Sequence, residues 1–211
     1  MKKAVVPLLF TLATSVNAAV VVVDTDTSWL TTGSTTTTGP AAGWNTNPSF
    51  DTTGWTPAVV STPNCMGSAD CIWFDLVNSA TRYSWFRHTF NISGPIVSAT
   101  FEMGVDDDAE VYLNGVRIVN DKSGASTNLA PFDISSNLVN GDNLIAVFAE
   151  DNIPVWGQLH AIAMQLRIET QSQAGNVPEP GSLALLALGA AGVGLAKRRG
   201  GKGKQSQTSQ G

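Results

Sequence analysis

Basic residues are scarce in the interior of this chain. Of its 12 Lys and Arg, seven (Lys2, Lys3, Lys197, Arg198, Arg199, Lys202 and Lys204) lie at the two ends, leaving five between residues 19 and 177. Of the 17 Asp and Glu, only Glu179 falls outside that interval, so 16 remain and the interior carries a net charge near −11. A phosphate backbone would be repelled by such a field, which argues against a nucleic-acid partner and leaves divalent cations and neutral sugars. The same acid excess also serves solubility alone. Histidine is nearly absent: His88 and His160 each stand alone, and two isolated imidazoles build neither a nucleophile triad nor a zinc site. They read as structural residues. With only two cysteines, the chain has too few thiols for a metal site without further ligands. The interior shows no 3.6-residue apolar stripe, which excludes a helical bundle. The apolar run near the C-terminus, Ser182 to Ala196, is shorter than the roughly 20 residues of a comfortable membrane span.

What is present at the termini is a pair of addresses. Met1-Lys2-Lys3 is a positive opening, Ala4 to Val16 an apolar stretch, and Val16-Asn17-Ala18 a small-residue cleavage site, which together make a Sec-type signal peptide. Cleavage is placed after Ala18, with Ala19 as the alternative. At the other end, Val177-Pro178-Glu179-Pro180-Gly181 is followed by the uncharged run Ser182 to Ala196 and then by Lys197-Arg198-Arg199. Pro178 and Pro180 fix φ near −65° and remove two backbone donors, so the peptide is held extended, a form that suits an enzyme cleft. Gly189, Gly192 and Gly194 permit close helix contact inside a membrane. The basic cluster stays cytoplasmic by the positive-inside rule, which places the residues before 178 outside. In order and position the three parts resemble the PEP-CTERM sorting signal of exopolysaccharide-producing Gram-negative bacteria. The resemblance implies an inner-membrane intermediate handled by an exosortase-type membrane transpeptidase that cuts near Pro-Glu-Pro. An unprocessed weak anchor is the other reading.

The expected organisation is therefore a signal peptide (1–18), one β-sandwich (19–170), a linker (171–177), the sorting signal with its short transmembrane helix (178–199) and a polar tail (200–211). About 155 residues remain between the signals, enough for one domain with a sizeable core. Export favours a disulfide between Cys65 and Cys71.

Within the interior, period-two segments alternate with turn residues. Ala109 to Leu113, then Asn114-Gly115, then Val116 to Val119 is a β-hairpin, because a type I′ turn needs positive φ at both central residues. Two-residue closure pairs Leu113 with Val116 and Val111 with Ile118 on one face, Tyr112 with Arg117 on the other, and sets Glu110 diagonally from Arg117. Further strands are predicted at Ser84 to Ile92, at Val97 to Met103 (with Val97, Ala99, Phe101 and Met103 on one face), at Leu144 to Ala149 after the turn Asn140 to Asn143, and at Ala161 to Ile168. Many short strands at this spacing suggest an all-β sandwich or jelly roll.

Several of these segments resemble a family. Trp85-Phe86-Arg87-His88-Thr89-Phe90 looks like the W-Y-R-R-x-F strand of the sugar-binding jelly roll in family-two glycoside hydrolases. Val105 to Gly115, with its Val-Tyr-Leu-Asn-Gly, is similar to their V-Y-x-N-G hairpin. Pro131-Phe132-Asp133-Ile134, then Leu138, Gly141, Asn143-Leu144 and Val147, is similar to their F-D-x-T-x-x-L-x-x-G-x-N pattern. Phe50-Asp51-Thr52-Thr53-Gly54-Trp55 and Ser28-Trp29 resemble the opening elements. The resemblance spans roughly residues 20 to 170. It implies a galactose-binding-domain-like jelly roll that is non-catalytic in those enzymes. The Thr-rich stretch Thr31 to Thr38, which in isolation suggests a flexible or O-glycosylated linker, then reads as a long loop inside the sandwich.

The candidate site residues follow. Asp106-Asp107-Asp108 is the densest acidic cluster; Ca²⁺ would relieve its repulsion, with Asp106 and Asp108 facing the same way at a strand end. The alternative is a plain acidic loop. Glu150-Asp151 precedes Trp156, and a carboxylate beside an indole binds sugar by hydroxyl hydrogen bonds and stacking. Trp73 is a second indole, next to Cys71. No spacing is catalytic. The expectation is an exported protein of the cell surface, outer membrane or extracellular matrix whose sandwich binds carbohydrate, with exopolysaccharide as the expected ligand. A structural or adhesive envelope protein is the alternative, and a glycoside hydrolase the weaker third reading.

Overall fold

The structure is a computed structural model that describes residues 18–75, 81–152 and 161–171. Of the expected signal peptide, residues 1–17 lie outside the described residues and Ala18 opens β1; Trp156, His160 and the whole C-terminal signal, Val177 to Arg199 included, lie outside them as well. Twelve strands run in the order β1 (Ala18–Asp24), β2 (Leu30–Ser34), β3 (Thr56–Pro57), β4 (Val59–Met66), β5 (Ala69–Trp73), β6 (Tyr83–Ile92), β7 (Ile96–Asp106), β8 (Asp108–Leu113), β9 (Val116–Asp121), β10 (Thr127–Asp133), β11 (Gly141–Glu150) and β12 (Ala161–Gln171). A single 3-10 turn, Ser135–Asn137, is the only helical element among the described residues.

The strands form two six-stranded sheets. One has the order β10-β7-β12-β5-β4, with β1 also paired to β12; the other has β3-β2-β6-β11-β8-β9. Neighbours are antiparallel throughout. This is the expected all-β jelly-roll sandwich. Its core lies between the sheets, where Phe101, Met103, Met164 and Leu166 meet Phe86, Val111, Ile145 and Val147, all fully buried. Phe101 and Met103, Met164 and Leu166, and Ile145 and Val147 are each two positions apart on one strand, so alternation alone directs them inward.

The hairpin forms as predicted at its tip. Asn114 and Gly115 have φ of 50° and 83°, and Leu113 pairs with Val116 and Tyr112 with Arg117. Further along, a bulge inserts Ile118, so Val111 pairs with Val119 rather than Ile118. A second bulge corrects the reading of β7: its register against β12 slips between Glu169 and Thr170, which leaves Val97 55% exposed while Ala99, Phe101 and Met103 stay inside. Cys65 and Cys71 are disulfide-bonded across the β4–β5 hairpin.

The Thr-rich stretch belongs to the sandwich. Thr31 is fully buried in β2 and its hydroxyl donates to the Trp85 carbonyl at 3.0 Å. Beyond β2, residues 35–55 form a long loop without regular structure. The carboxylates Asp106, Asp107 and Asp108 sit where the chain leaves β7 in one sheet and enters β8 in the other.

Candidate functional site

Strand β6 is buried on both faces over Tyr83 to Arg87. Phe86 points into the core, so Trp85 and Arg87 point outward, and what covers them is the 35–55 loop. A Cβ added at Gly39 would stand 2.8 Å from the Trp85 ring, so the loop rests directly on that indole. The Arg87 guanidinium donates through Nη1 to the Trp44 carbonyl and through Nη2 to the carbonyls of Asn47 (2.9 Å) and Pro48 (3.5 Å). It also lies 5.2 Å from the centre of the Phe50 ring. Trp44 packs edge-on against Tyr112 at 5.9 Å, which ties the loop to β8 as well. A cation on a sheet face thus gathers the 35–55 loop by its backbone.

Where the loop descends past β2, it leaves a cleft of about 310 Å³. Phe50, Leu30 and Pro48 give it apolar walls; Ser28, Thr52, Thr89 and His88 give it hydroxyl and imidazole groups, and Arg87 forms part of its wall. His88 stacks on the buried Trp29 at 5.2 Å, and its Nδ1 is 3.5 Å from the Ser28 hydroxyl. Burial pushes the His88 pKa below its ordinary value, against the opposing pull of Asp26 and of the Ser28 backbone. The imidazole is therefore neutral at pH 7. Its volume lies at the lower end of the range for small-ligand sites, and it offers one aromatic wall and a few polar groups.

The residues singled out from sequence fall elsewhere. Trp73 is fully buried in the core, 6.0 Å from Phe86, and presents no open indole face. Glu150 is bound to Arg82 at 2.8 Å, and Arg82 also donates to the Asn152 side chain at 2.8 Å. Asp151 is buried, its backbone N–H donating to the Arg82 carbonyl. Asp106 accepts from the Ser126 hydroxyl (2.7 Å), while Asp108 accepts from the Gly124 N–H (2.6 Å) and the Asn152 amide (3.0 Å). These carboxylates fasten the loop after β9 to the corner between the sheets. Among the described residues, no three His, Cys, Asp or Glu side chains are grouped to hold one metal ion. Trp73 and the carboxylates do not share the Phe50–His88 cleft. That cleft escaped the sequence reading, although one signal was there: Arg87 at an outward position of a buried strand, in an interior with five basic residues.

The fold and the termini define the class as an exported β-sandwich with a membrane-sorting tail. The PEP-CTERM protein-sorting motif occupies residues 176–199. It marks the chain for exosortase-type processing and for export through a membrane-anchored intermediate to the cell surface. No curated protein matches the sequence. In fold, the chain is similar to a glycosyl hydrolase family 2 member from Bacteroides cellulosilyticus (19% identity, 70% of this chain and 20% of that one, TM-score 0.45). It is also similar to a Bacteroides uniformis beta-glucuronidase (13%, 71% and 18%, 0.47) and a Ruminococcus gnavus beta-glucuronidase (12%, 76% and 30%, 0.45). The chain spans only about a fifth to a third of the length of these proteins.

Proposed function

We propose that this protein is a non-catalytic carbohydrate-binding component of the cell envelope or extracellular matrix, delivered there by exosortase-type sorting. The observation that carries the proposal is the cleft between β2, β6 and the 35–55 loop. Its volume of about 310 Å³ suits one or two sugar rings. Phe50 offers an aromatic surface for the apolar C–H face of a pyranose, and Ser28, Thr52, Thr89 and His88 offer partners for its hydroxyls. The acidic exterior repels nucleic acid and tolerates neutral polymers. The test is affinity electrophoresis of the purified protein through gels carrying defined polysaccharides. Retardation is expected, and Phe50→Ala or His88→Ala should abolish it while the far-UV spectrum stays unchanged. Mobility unaffected by every polysaccharide would end this reading.

A second reading has its own support. Trp29, Trp73 and Trp85 are all buried, so half of the six tryptophans serve the fold and are closed to sugar. An adhesive or structural role without a small ligand would follow if deletion weakens biofilm cohesion while no polysaccharide is bound. As for Ca²⁺, a rise in melting temperature on adding it, lost in Asp106→Asn and Asp108→Asn, would place the ion at the corner between β7 and β8.

A further inference from the structure

Among the described residues, Arg82, Arg117 and Lys122 each pair with a glutamate. Arg87 is the most buried of the cations at 4% exposure, and it contacts carbonyl oxygens instead. Buried charges are ordinarily matched by an opposite charge, because desolvation costs several kcal/mol per ion. Three carbonyl dipoles take up part of the five N–H donors of Arg87, the Nε–H not among them, and carry no full negative charge, so a net positive charge stays on the wall of the cleft. Burial acts on the group in the expected direction, holding its pKa below the usual arginine value.

The nearby carboxylates do not cancel that charge. Asp26 is exposed and accepts from the Ser28 N–H at 2.6 Å. Asp51 is exposed and turned back onto Thr53, whose N–H and hydroxyl it accepts at 2.9 and 2.6 Å. Charges in open solvent are screened over about 8 Å at physiological salt, whereas a buried one is screened much less. Arg87 is thus the buried cation of the cleft wall, although Asp26 is felt at His88 and the molecule as a whole is acidic.

Resting on the carbohydrate reading above, we propose that the cleft selects sugars bearing a carboxylate, the uronic-acid residues of an acidic polysaccharide. The ring would lie against Phe50 with its carboxylate directed toward Arg87, and Ser28, Thr89 and His88 would meet its hydroxyls. Neutral sugars would keep the stacking and hydroxyl contacts but leave the cation unmatched.

The experiment uses the full chain, purified in detergent, and two forms of one polymer: polygalacturonate, and the same chain with its carboxyl groups reduced to primary alcohols. Backbone, linkage and length are then held constant while the charge is removed. Binding to polygalacturonate should be tighter by about tenfold, the range of one charge-assisted hydrogen-bonded contact. Equal binding to both forms would overturn the selectivity while leaving the carbohydrate reading intact. Failure to bind either form, with another polysaccharide still retained in the affinity gel, would overturn the uronate assignment alone. Because Arg87 also anchors the loop, Arg87→Gln is to be read together with a measurement on the unaltered protein. The Arg87 Nε–H resonance should move on titration with galacturonate and stay in place with galactose. The same movement with both sugars, or none with either, would refute the assignment.

Discussion

Asn114 and Asn143 show how two residues recognised only as parts of motifs act as one unit. Asn114 donates through Nδ2 to the Asn143 Oδ1 and to the Asn137 carbonyl, both at 2.8 Å, and accepts from the Leu144 N–H at 2.9 Å. Asn143, 1% exposed, accepts also from the Val139 N–H and donates to the carbonyls of Val139 and Gly141. The hairpin tip of β8–β9 and the turn into β11 are thus clasped through buried amides. Replacing Asn143 with Ala strands several buried polar groups at once, at about 1–3 kcal/mol each before relaxation. Asn143→Ala should lower stability by roughly 3 kcal/mol in urea unfolding, with the slope unchanged. Gly94 is similarly constrained. Its φ is +96°, and an added Cβ would stand 2.7 Å from the Gln171 carbonyl oxygen, which is backbone and cannot swing away. Gly94→Ala should cost about 2 kcal/mol or more, and Gly54→Ala, with φ +86° but open space, should cost less.

At the scale of elements, alternation and the Asn-Gly turn made most strands legible: β6, β8, β11 and β12 contain the segments expected of them. The misplacements have one cause. A bulge at Ile118 and another at Val97 each add a residue to one strand, and period-two reading cannot see an added residue. The cleft was not legible for a different reason. Phe50 and Arg87 are more than thirty positions apart, and only the loop's path over β6 brings them together. Two predictions belong here. The Cys65–Cys71 bridge closes a loop of six-residue separation, so removing it should cost about 2 kcal/mol in the chain-entropy model. Reductant should lower the melting temperature of the native protein and leave that of Cys65→Ser/Cys71→Ser unchanged. The second concerns the acidic corner. Burial raises the Asp107 pKa; its hydrogen bond from the Asn152 N–H opposes this, and Asp106 and Asp108 add to it. The folded state then holds its proton at a pH where the unfolded chain has released it, so ionisation destabilises the fold as pH rises through the carboxylate range. Asp107→Asn should raise the melting temperature at pH 7. The gain should vanish once the pH falls below the ordinary carboxylate range, and a constant difference across pH would contradict this origin.

For the whole molecule, the sandwich and the sorting tail make separate demands on the chain, and the strands nearest the two ends in sequence are β1 and β12. Ala18 pairs with Gln171, so β1, which begins at the end of the expected signal peptide, lies beside β12, the last strand described before the sorting motif. Cleavage after Ala18 would remove one residue of a seven-residue strand whose first buried side chain is Val23, and the remaining pairs, Ala19 with Thr170 through Asp24 with Gln165, would persist. The folded domain can therefore tolerate processing at both ends. Mass spectrometry of the protein recovered from its host should find a chain that begins at Ala19 and lacks the segment from Lys197 onward. Glu179→Ala alters the Pro-Glu-Pro peptide within the 176–199 motif and lies outside the sandwich in sequence, so it should leave urea stability unchanged while trapping full-length chain in the inner membrane. Normal release of Glu179→Ala, or a mature chain that still carries Lys197 to Gly211, would contradict processing at this motif.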